Sequence, residues 1–448
     1  MTVADFMKKH GMDYSDIDMD SCCRIFLEEM ERGLAGQESS LEMIPTYIET
    51  ERDVPTEQKV VVMDAGGTNF RVAVVHFTNQ KQPTIENHKT SRMPGVDEEV
   101  SKDTFFESMA KYVKDIVDKG SNIGFCFSYP TEIAPNKDGR LIRFSKEIKA
   151  KDVEGQMIGE SLNIALAGLG YEGNKHIVLL NDTVATLLAG RATSSGRTYD
   201  SYVGFILGTG TNCAYIESNK NIIKPPVKLG AKYLAPRFTR GYFLDPDKSQ
   251  IINIESGSFG KAPRGSIDLQ FDNSTKNPGV YTFEKMISGA YFGPLCLLTI
   301  KTAAKENLFS SVATERLSSI NELTTEQVND FLCKSGTGDN PISAAVANNN
   351  NDDMVTLHDL LERLVERAAK LTAVNLSSAA LKSGKGRDPN RPVCIVAEGT
   401  TFYKLKNLKS RVEYYLTEYL QGRKGRYYEI ISVDNATLIG AAVAGLTN

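Results

Sequence analysis

The stretch VVVMDAGGTNFRVAVVHF, Val60 to Phe77, sets two apolar, β-branched runs around a tight polar turn holding an aspartate, two glycines, a threonine and an asparagine. Runs of this kind bounded by glycine read as strands. The backbone N–H groups of Gly66, Gly67, Thr68 and Asn69 can approach an anion closely, because glycine has no Cβ to intervene. Taken alone, the turn predicts a hairpin that needs glycine at positive φ. Asp64 adds a second reading. An acid at a strand end beside a phosphate-cradling turn would repel phosphate unless a cation lay between them. Magnesium resolves the conflict, since it bridges phosphate oxygens and reaches protein through one carboxylate or through water.

The design occurs twice. VGFILGTGTNCAYIES, Val203 to Ser218, repeats the apolar run, the glycine turn with GTN and the second apolar run. Gly67-Thr68-Asn69 and Gly210-Thr211-Asn212 lie 143 residues apart, which predicts one strand-turn-strand device in each of two domains. Two such turns facing each other could hold one polyphosphate, with threonine hydroxyls as further donors.

A chain of 448 residues is long for a single core, which also favours two domains. Its 41% hydrophobic and 24% charged content is that of an ordinary globular protein, and a net charge of −4 gives no broad basic field for nucleic acid or a membrane surface. Small-molecule chemistry remains. Seven scattered cysteines, never spaced C-x-x-C and several inside apolar runs such as GFCFSY and PVCIVAE, point to buried thiols, a reducing compartment and no zinc site. The first residues carry no long apolar segment, so a cytoplasmic location is expected.

Around the two turns the pattern alternates strands and helices. Residues 18–36 have helical periodicity. A helix is expected from about Ser101 to Lys119 with Gly120 as its C-cap, then a strand NIGFCFSY, an amphipathic helix near 153–168, a strand HIVLLND and a helix TVATLLAGR. The order is that of an α/β chain with sheets covered by helices. No G-x-x-x-x-G-K-[ST] occurs. GLGYEG, Gly168 to Gly173, follows a helix and precedes a strand, the reverse of a dinucleotide fingerprint. NNNNDDM, Asn348 to Met354, reads as a surface loop, and the five histidines form no metal-spaced cluster.

Eight segments in order then carry a family resemblance: DAGGTNFRV, FSYP (127–130), RFSK (143–146), LLNDTVATLLAG (179–190), LGTGTNCAY, NIESGSFG (253–260), NPGVYTFEKMISGAYFG (277–293) and VAEGTTFYK (396–404). From EEMERGLAGQESSLEMIPTYI near residue 28 to the C-terminal GAAVAGL, the chain resembles the hexokinases of the sugar-kinase, actin-like ATPase superfamily. The resemblance implies an α/β, two-domain actin-like ATPase (ribonuclease H-like) fold, each domain a mixed sheet flanked by helices, with a cleft between them. It divides the chain into a small domain of 60–181 plus 434–448 and a large one of 1–59 plus 182–433. It implies a monomer or homodimer that transfers a phosphoryl group from ATP with Mg2+ to a hexose, glucose first and also fructose or mannose, at the start of glycolysis.

By the same resemblance, Asp182 is the base for the sugar hydroxyl, and Lys146 and Arg71 complete the catalytic set. Ser128, Ser145, Lys146, Asn181, Asp182, Asn212, Glu255 and Glu284 ring the sugar. Asp64, Gly66, Gly67, Thr68, Asn69, Gly208, Thr209, Gly210, Gly399 and Thr400 hold the nucleotide, Asp64 also facing magnesium, directly or through water. Position alone leaves other roles open. Asp182 could be a helix N-cap, Glu284 a solvated helix residue and Lys146 a surface lysine. Many hexokinases have Asn-Trp-Thr-Lys where this chain has Arg143-Phe144-Ser145-Lys146, and VDNATLIGAA stands where a Gly-Ser-Gly-type turn is usual. A non-catalytic hexose sensor with the same fold is the other class of function.

Overall fold

The computed structural model describes residues 1–144, 148–194, 196–225, 244–334, 340–347 and 351–448. In chain order its strands are β1 (Ile44–Glu49), β2 (Val60–Gly66), β3 (Asn69–Phe77), β4 (Pro83–Arg92), β5 (Asn122–Phe127), β6 (Thr131–Ile133) and β7 (Gly139–Leu141). They continue as β8 (His176–Leu180), β9 (Ser201–Leu207), β10 (Thr211–Ser218), β11 (Ser249–Asn253), β12 (Val393–Glu398) and β13 (Tyr428–Ile431).

Two mixed sheets result, of order β4-β3-β2-β5-β8 and β1-β11-β10-β9-β12-β13. In the first, β2, β3 and β4 form an antiparallel meander, with β5 and β8 added in parallel. In the second, β9, β10 and β11 form the same meander, with β12 and β13 added in parallel and β1 on the far edge. The repeated glycine turn is thus the visible part of a repeated five-stranded unit.

Both faces of β2 are covered, which explains its unbroken apolar run. Val61, Met63 and Ala65 enter a core with the helices Lys102–Val113 and Ile158–Gly168. Val60 and Val62 enter a second core that also takes Ala214 and Ile251 from the other sheet. Two helices contribute to this shared core, Asp182–Thr193 and Ala436–Thr447. The largest core lies on the other side of the six-stranded sheet, beneath the 32-residue helix Asn351–Lys382.

Three local expectations are corrected. The helix begun at Ser101, whose hydroxyl accepts from Thr104 N, ends at Val113. Gly120 is extended, with φ −137°, and caps nothing; a Cβ there would stand 2.7 Å from Val61 N, so its smallness serves close approach to β2. The helix placed near 153–168 starts at Ile158, after a short 3-10 turn. Of NNNNDDM, residues 348–350 lie outside the described residues, and Asn351–Met354 open the long helix instead of forming a loop. Asp353 there is buried, accepting from Ser310 N at 2.8 Å and Ser310 Oγ at 2.6 Å. Six of the seven cysteines are buried, Cys333 being exposed. Among the described residues no helix is long and apolar enough to cross a membrane.

Candidate active site

The first turn is a two-residue hairpin. Gly66 pairs with Asn69, and Gly67 takes φ +70°. Gly67 and the exposed Thr68 form the tip, which Tyr129 steadies by donating its hydroxyl to Gly67 O at 3.0 Å. Asp64 lies in β2, two residues before Gly66, and is 1% exposed. Its Oδ2 accepts from Arg71 Nη2 at 2.5 Å and from Thr437 Oγ1 at 2.9 Å. Arg71 stands directly across the hairpin ladder, so strand register makes the pair. Burial nevertheless holds the Asp64 carboxyl above the usual carboxylate range. A Cβ on Gly66 would stand 3.5 Å from Asp64 Oδ1 and 3.6 Å from Ser128 Oγ, which places Ser128 beside the same turn.

Between the sheets, β8 ends at Leu180, and the next helix begins with Asp182. Its N-cap is Asn181, whose Oδ1 accepts from Thr183 N at 2.8 Å, so the capping role considered for Asp182 falls one residue earlier. Asp182 Oδ1 accepts from Thr183 N at 2.7 Å and from Thr183 Oγ1 at 3.2 Å. Both bonds fall on one oxygen, so Oδ2 is the one left for a ligand.

Across from it lies a polar cluster on the six-stranded sheet. Asn212 Nδ2 donates to Asn253 Oδ1 at 2.8 Å and to Glu255 Oε1 at 3.1 Å, and lies 3.5 Å from Asn181 Oδ1. Asn253 Nδ2 donates to the same Glu255 oxygen at 2.8 Å. Asn212 Oδ1 accepts from Cys213 N at 2.7 Å and Ser256 N at 3.2 Å, which fixes its amide orientation. Glu284 Oε2 accepts from Thr211 N at 2.8 Å, tying it to the second turn. It is half-buried at the start of the short helix Glu284–Ile287 and not a solvated helix residue.

The second turn, Gly208–Gly210, joins β9 to β10 and is closed by Gly208 N donating to Gly210 O at 2.9 Å. Its carbonyls are taken by its neighbours: Gly208 O accepts from Gly289 N at 2.7 Å and Thr401 Oγ1 at 2.8 Å, and Thr209 O from Ala290 N at 3.0 Å. Gly399, at φ +115°, packs so closely on Leu207 O that no Cβ fits there, and the exposed Thr400 follows it. Alongside runs a groove of about 630 Å³ whose wall includes Gly289, Ala290, Leu323, Thr324 and Thr325. Ser145 and Lys146 lie outside the described residues.

A model of the family described as hexokinase matches residues 4–192, and a second of the same description matches 202–447. The chain belongs to the hexokinase family of hexose kinases. Glucokinase-1 of Kluyveromyces lactis is 32% identical over 399 residues, covering 80% of this chain and 79% of the relative. Hexokinase-3 of Oryza sativa subsp. japonica is 28% identical over 458 residues, covering 93% and 84%. The solved structure of a hexokinase from Schistosoma mansoni complexed with glucose matches with a TM-score of 0.75 at 22% identity, covering 100% of both chains. The two-domain α/β fold of the actin-like ATPases, expected from the segments, is the fold found.

Two contacts of this hexokinase have no clear signal in the sequence. Asn253 sits in the quoted NIESGSFG, yet only its burial beside Asn212 shows what it does. Thr437 belongs to the C-terminal stretch that departs from the family pattern, and no local signal tells that it reaches Asp64.

Glu255 is held in a left-handed backbone at φ 57°. Burial, then the Glu42 carboxylate, pushes its carboxyl up to about 7, against the hydrogen bond from Asn253, with Asp182 and Glu284 adding to the rise. Since its folded pKa lies above the unfolded value, the folded state keeps the proton longer, and its stability contribution falls as pH rises from about 5 to 7. Glu255→Gln is therefore expected to gain on wild type in thermal denaturation between about pH 5.5 and pH 8. An equal difference at both pH values would contradict the assignment.

Proposed function

We propose that this hexokinase transfers the γ-phosphoryl group of ATP, with magnesium, to the 6-hydroxyl of a hexose, glucose foremost and also fructose or mannose, as the entry step of glycolysis. One observation carries the reading: Asn181, beside Asp182 at the helix start, lies 3.5 Å from Asn212 Nδ2, which also donates to Asn253 and Glu255, so the helix start of the first sheet and the polar cluster of the second meet in one cleft.

A sugar hydroxyl is a weak nucleophile at neutral pH, so transfer needs in-line placement, charge neutralisation and an acceptor for the proton. Asp182 Oδ2 is the acceptor. Thr183 fixes the other oxygen and hence the plane of the carboxylate. Asn181, Asn212, Glu255 and Glu284, with Ser128 and Ser145, satisfy the hydroxyls of a polyol that has left water, a glutamate accepting from two neighbouring hydroxyls. Lys146 supplies positive charge near the transferred group.

The two hairpin turns cradle the polyphosphate, and the groove beside Gly289 and Thr324, next to Gly399 and Thr400, takes the nucleoside. Among the described residues no three His, Cys, Asp or Glu side chains converge as a metal cage. Asp64 offers one carboxylate, with Oδ2 already held by Arg71 and Thr437. That donor set fits magnesium, which keeps most of its waters and is held mainly by phosphate. When bound, the ion neutralises phosphate charge. Asp64, fixed by Arg71, would hold the ion, directly or through water.

The small domain, 60–181 with 434–448, and the large one, 1–59 with 182–433, close over the hexose. Closure excludes water, the smaller competitor for the same phosphoryl group. ADP release by purified protein supplied in turn with glucose, fructose, mannose and N-acetylglucosamine tests the reading. Strong stimulation by glucose is expected, and ADP release that no hexose raises would contradict it.

A further inference from the structure

Arg143 and Phe144 stand where the resemblance would place Asn-Trp, and the structure shows what each does. Phe144 is anchored in the core of the five-stranded sheet. Its ring lies 5.1 Å from that of Tyr129 and 5.7 Å from that of Phe105, and its N–H donates to Glu154 Oε1 at 3.1 Å. Arg143 points the other way. Its Nη2 donates to the hydroxyl of Tyr281 at 2.5 Å, and its guanidinium carbon lies 5.7 Å from the centre of that ring.

Tyr281 belongs to the opposite wall, three residues before Glu284. Its backbone takes φ 52°, a left-handed conformation that a tyrosine adopts only where its surroundings impose it. The surroundings do. Asp272 accepts from Gly279 N at 3.0 Å and from the buried Lys285 Nζ at 2.6 Å. Lys285 Nζ also donates to Thr275 Oγ1 at 2.8 Å and Asn277 O at 2.7 Å. Tyr281 O accepts from Lys285 N at 3.1 Å. The phenol is thus presented to Arg143 from a braced loop.

We propose that Arg143 and Tyr281 are positioning residues that tie the two walls of the sugar cleft together and so set the affinity for hexose. The inference rests on the reading of the cleft given above. In the chain, Arg143 comes two residues before Ser145, and Tyr281 three residues before Glu284. The bond belongs to the closed arrangement and lowers the free-energy cost of closing over the hexose, which is where such preorganisation gains affinity. Neither residue faces the groove beside Thr324, so the nucleotide is unaffected.

The test is a double-mutant cycle on the full chain, reading Michaelis constants for glucose and for ATP together with melting temperature. Tyr281→Phe removes the acceptor while keeping the ring and the backbone, and Arg143→Met removes the donor while keeping length. Each single variant is expected to raise the glucose constant about tenfold, the scale of one lost charged hydrogen bond. The double variant should rise no further, the ATP constant should stay at its wild-type value, and Arg143→Lys should recover part of the loss. Unchanged glucose constants, effects that multiply in the double variant, or a lowered melting temperature with kinetics intact would overturn the tie. Wild-type protein without hexose-dependent turnover would instead overturn the parent reading, and the tie with it.

Discussion

Asp182→Asn is expected to lower turnover by about 10²–10⁴-fold, the usual contribution of a positioned base, while hexose binding measured by calorimetry stays close to wild type. The structure makes this substitution unusually clean. The cap of the helix is Asn181, so the variant loses no N-cap. The asparagine oxygen can still accept from Thr183 N as Asp182 Oδ1 does at 2.7 Å. What disappears is the ability to take a proton at the second oxygen. Near-normal turnover in folded Asp182→Asn protein would remove Asp182 from the role of base.

Gly440→Val is expected to destabilise the protein by about 3 kcal/mol or more, the upper end of what overpacking costs. Gly440 lies where the C-terminal helix crosses the helix that Asp182 opens. A Cβ there would fall on the carbonyl oxygen of Ala185 and stand 2.5 Å from its Cα. Both obstacles are backbone, so no rotamer change relieves them and the helices must separate. One residue on, Ala441 O packs against Gly124 of β5 so tightly that the sheet gives no room on the other side either. Ala185 is less than one turn from Asp182, so the same substitution should lower turnover in whatever fraction remains folded. A denaturation midpoint equal to wild type would contradict this account of the crossing.

The hairpins were readable because their signal is local. Two β-branched runs around glycine have few other ways to bury themselves, and the echo at Val203–Ser218 doubles that signal. Helix ends were less so. Gly120 looks like a C-cap in sequence, yet its need is spatial, a neighbouring strand that leaves no room for a Cβ. The asparagine-rich run looks like a loop, but the buried Asp353 within it finds its donors at Ser310, far away in sequence.

The site divides along the same line. Asp64 and Arg71 were singled out separately, and strand register supplied the bond between them. Asn181 and Asp182 are adjacent, and only the observed cap shows which one holds the helix. Thr437 and the Arg143–Tyr281 bond join segments 373 and 138 residues apart, and such pairings exist only once the chain is folded.

Under the proposed function, ATP and a hexose meet in this cleft and the phosphoryl group passes to the sugar's 6-hydroxyl. The most direct measurement is nuclear magnetic resonance of the products formed from labelled glucose, ATP and magnesium. Glucose 6-phosphate in equal amount to ADP is the predicted result. ADP accompanied by inorganic phosphate and no sugar phosphate, or a phosphate on another carbon, would contradict the account.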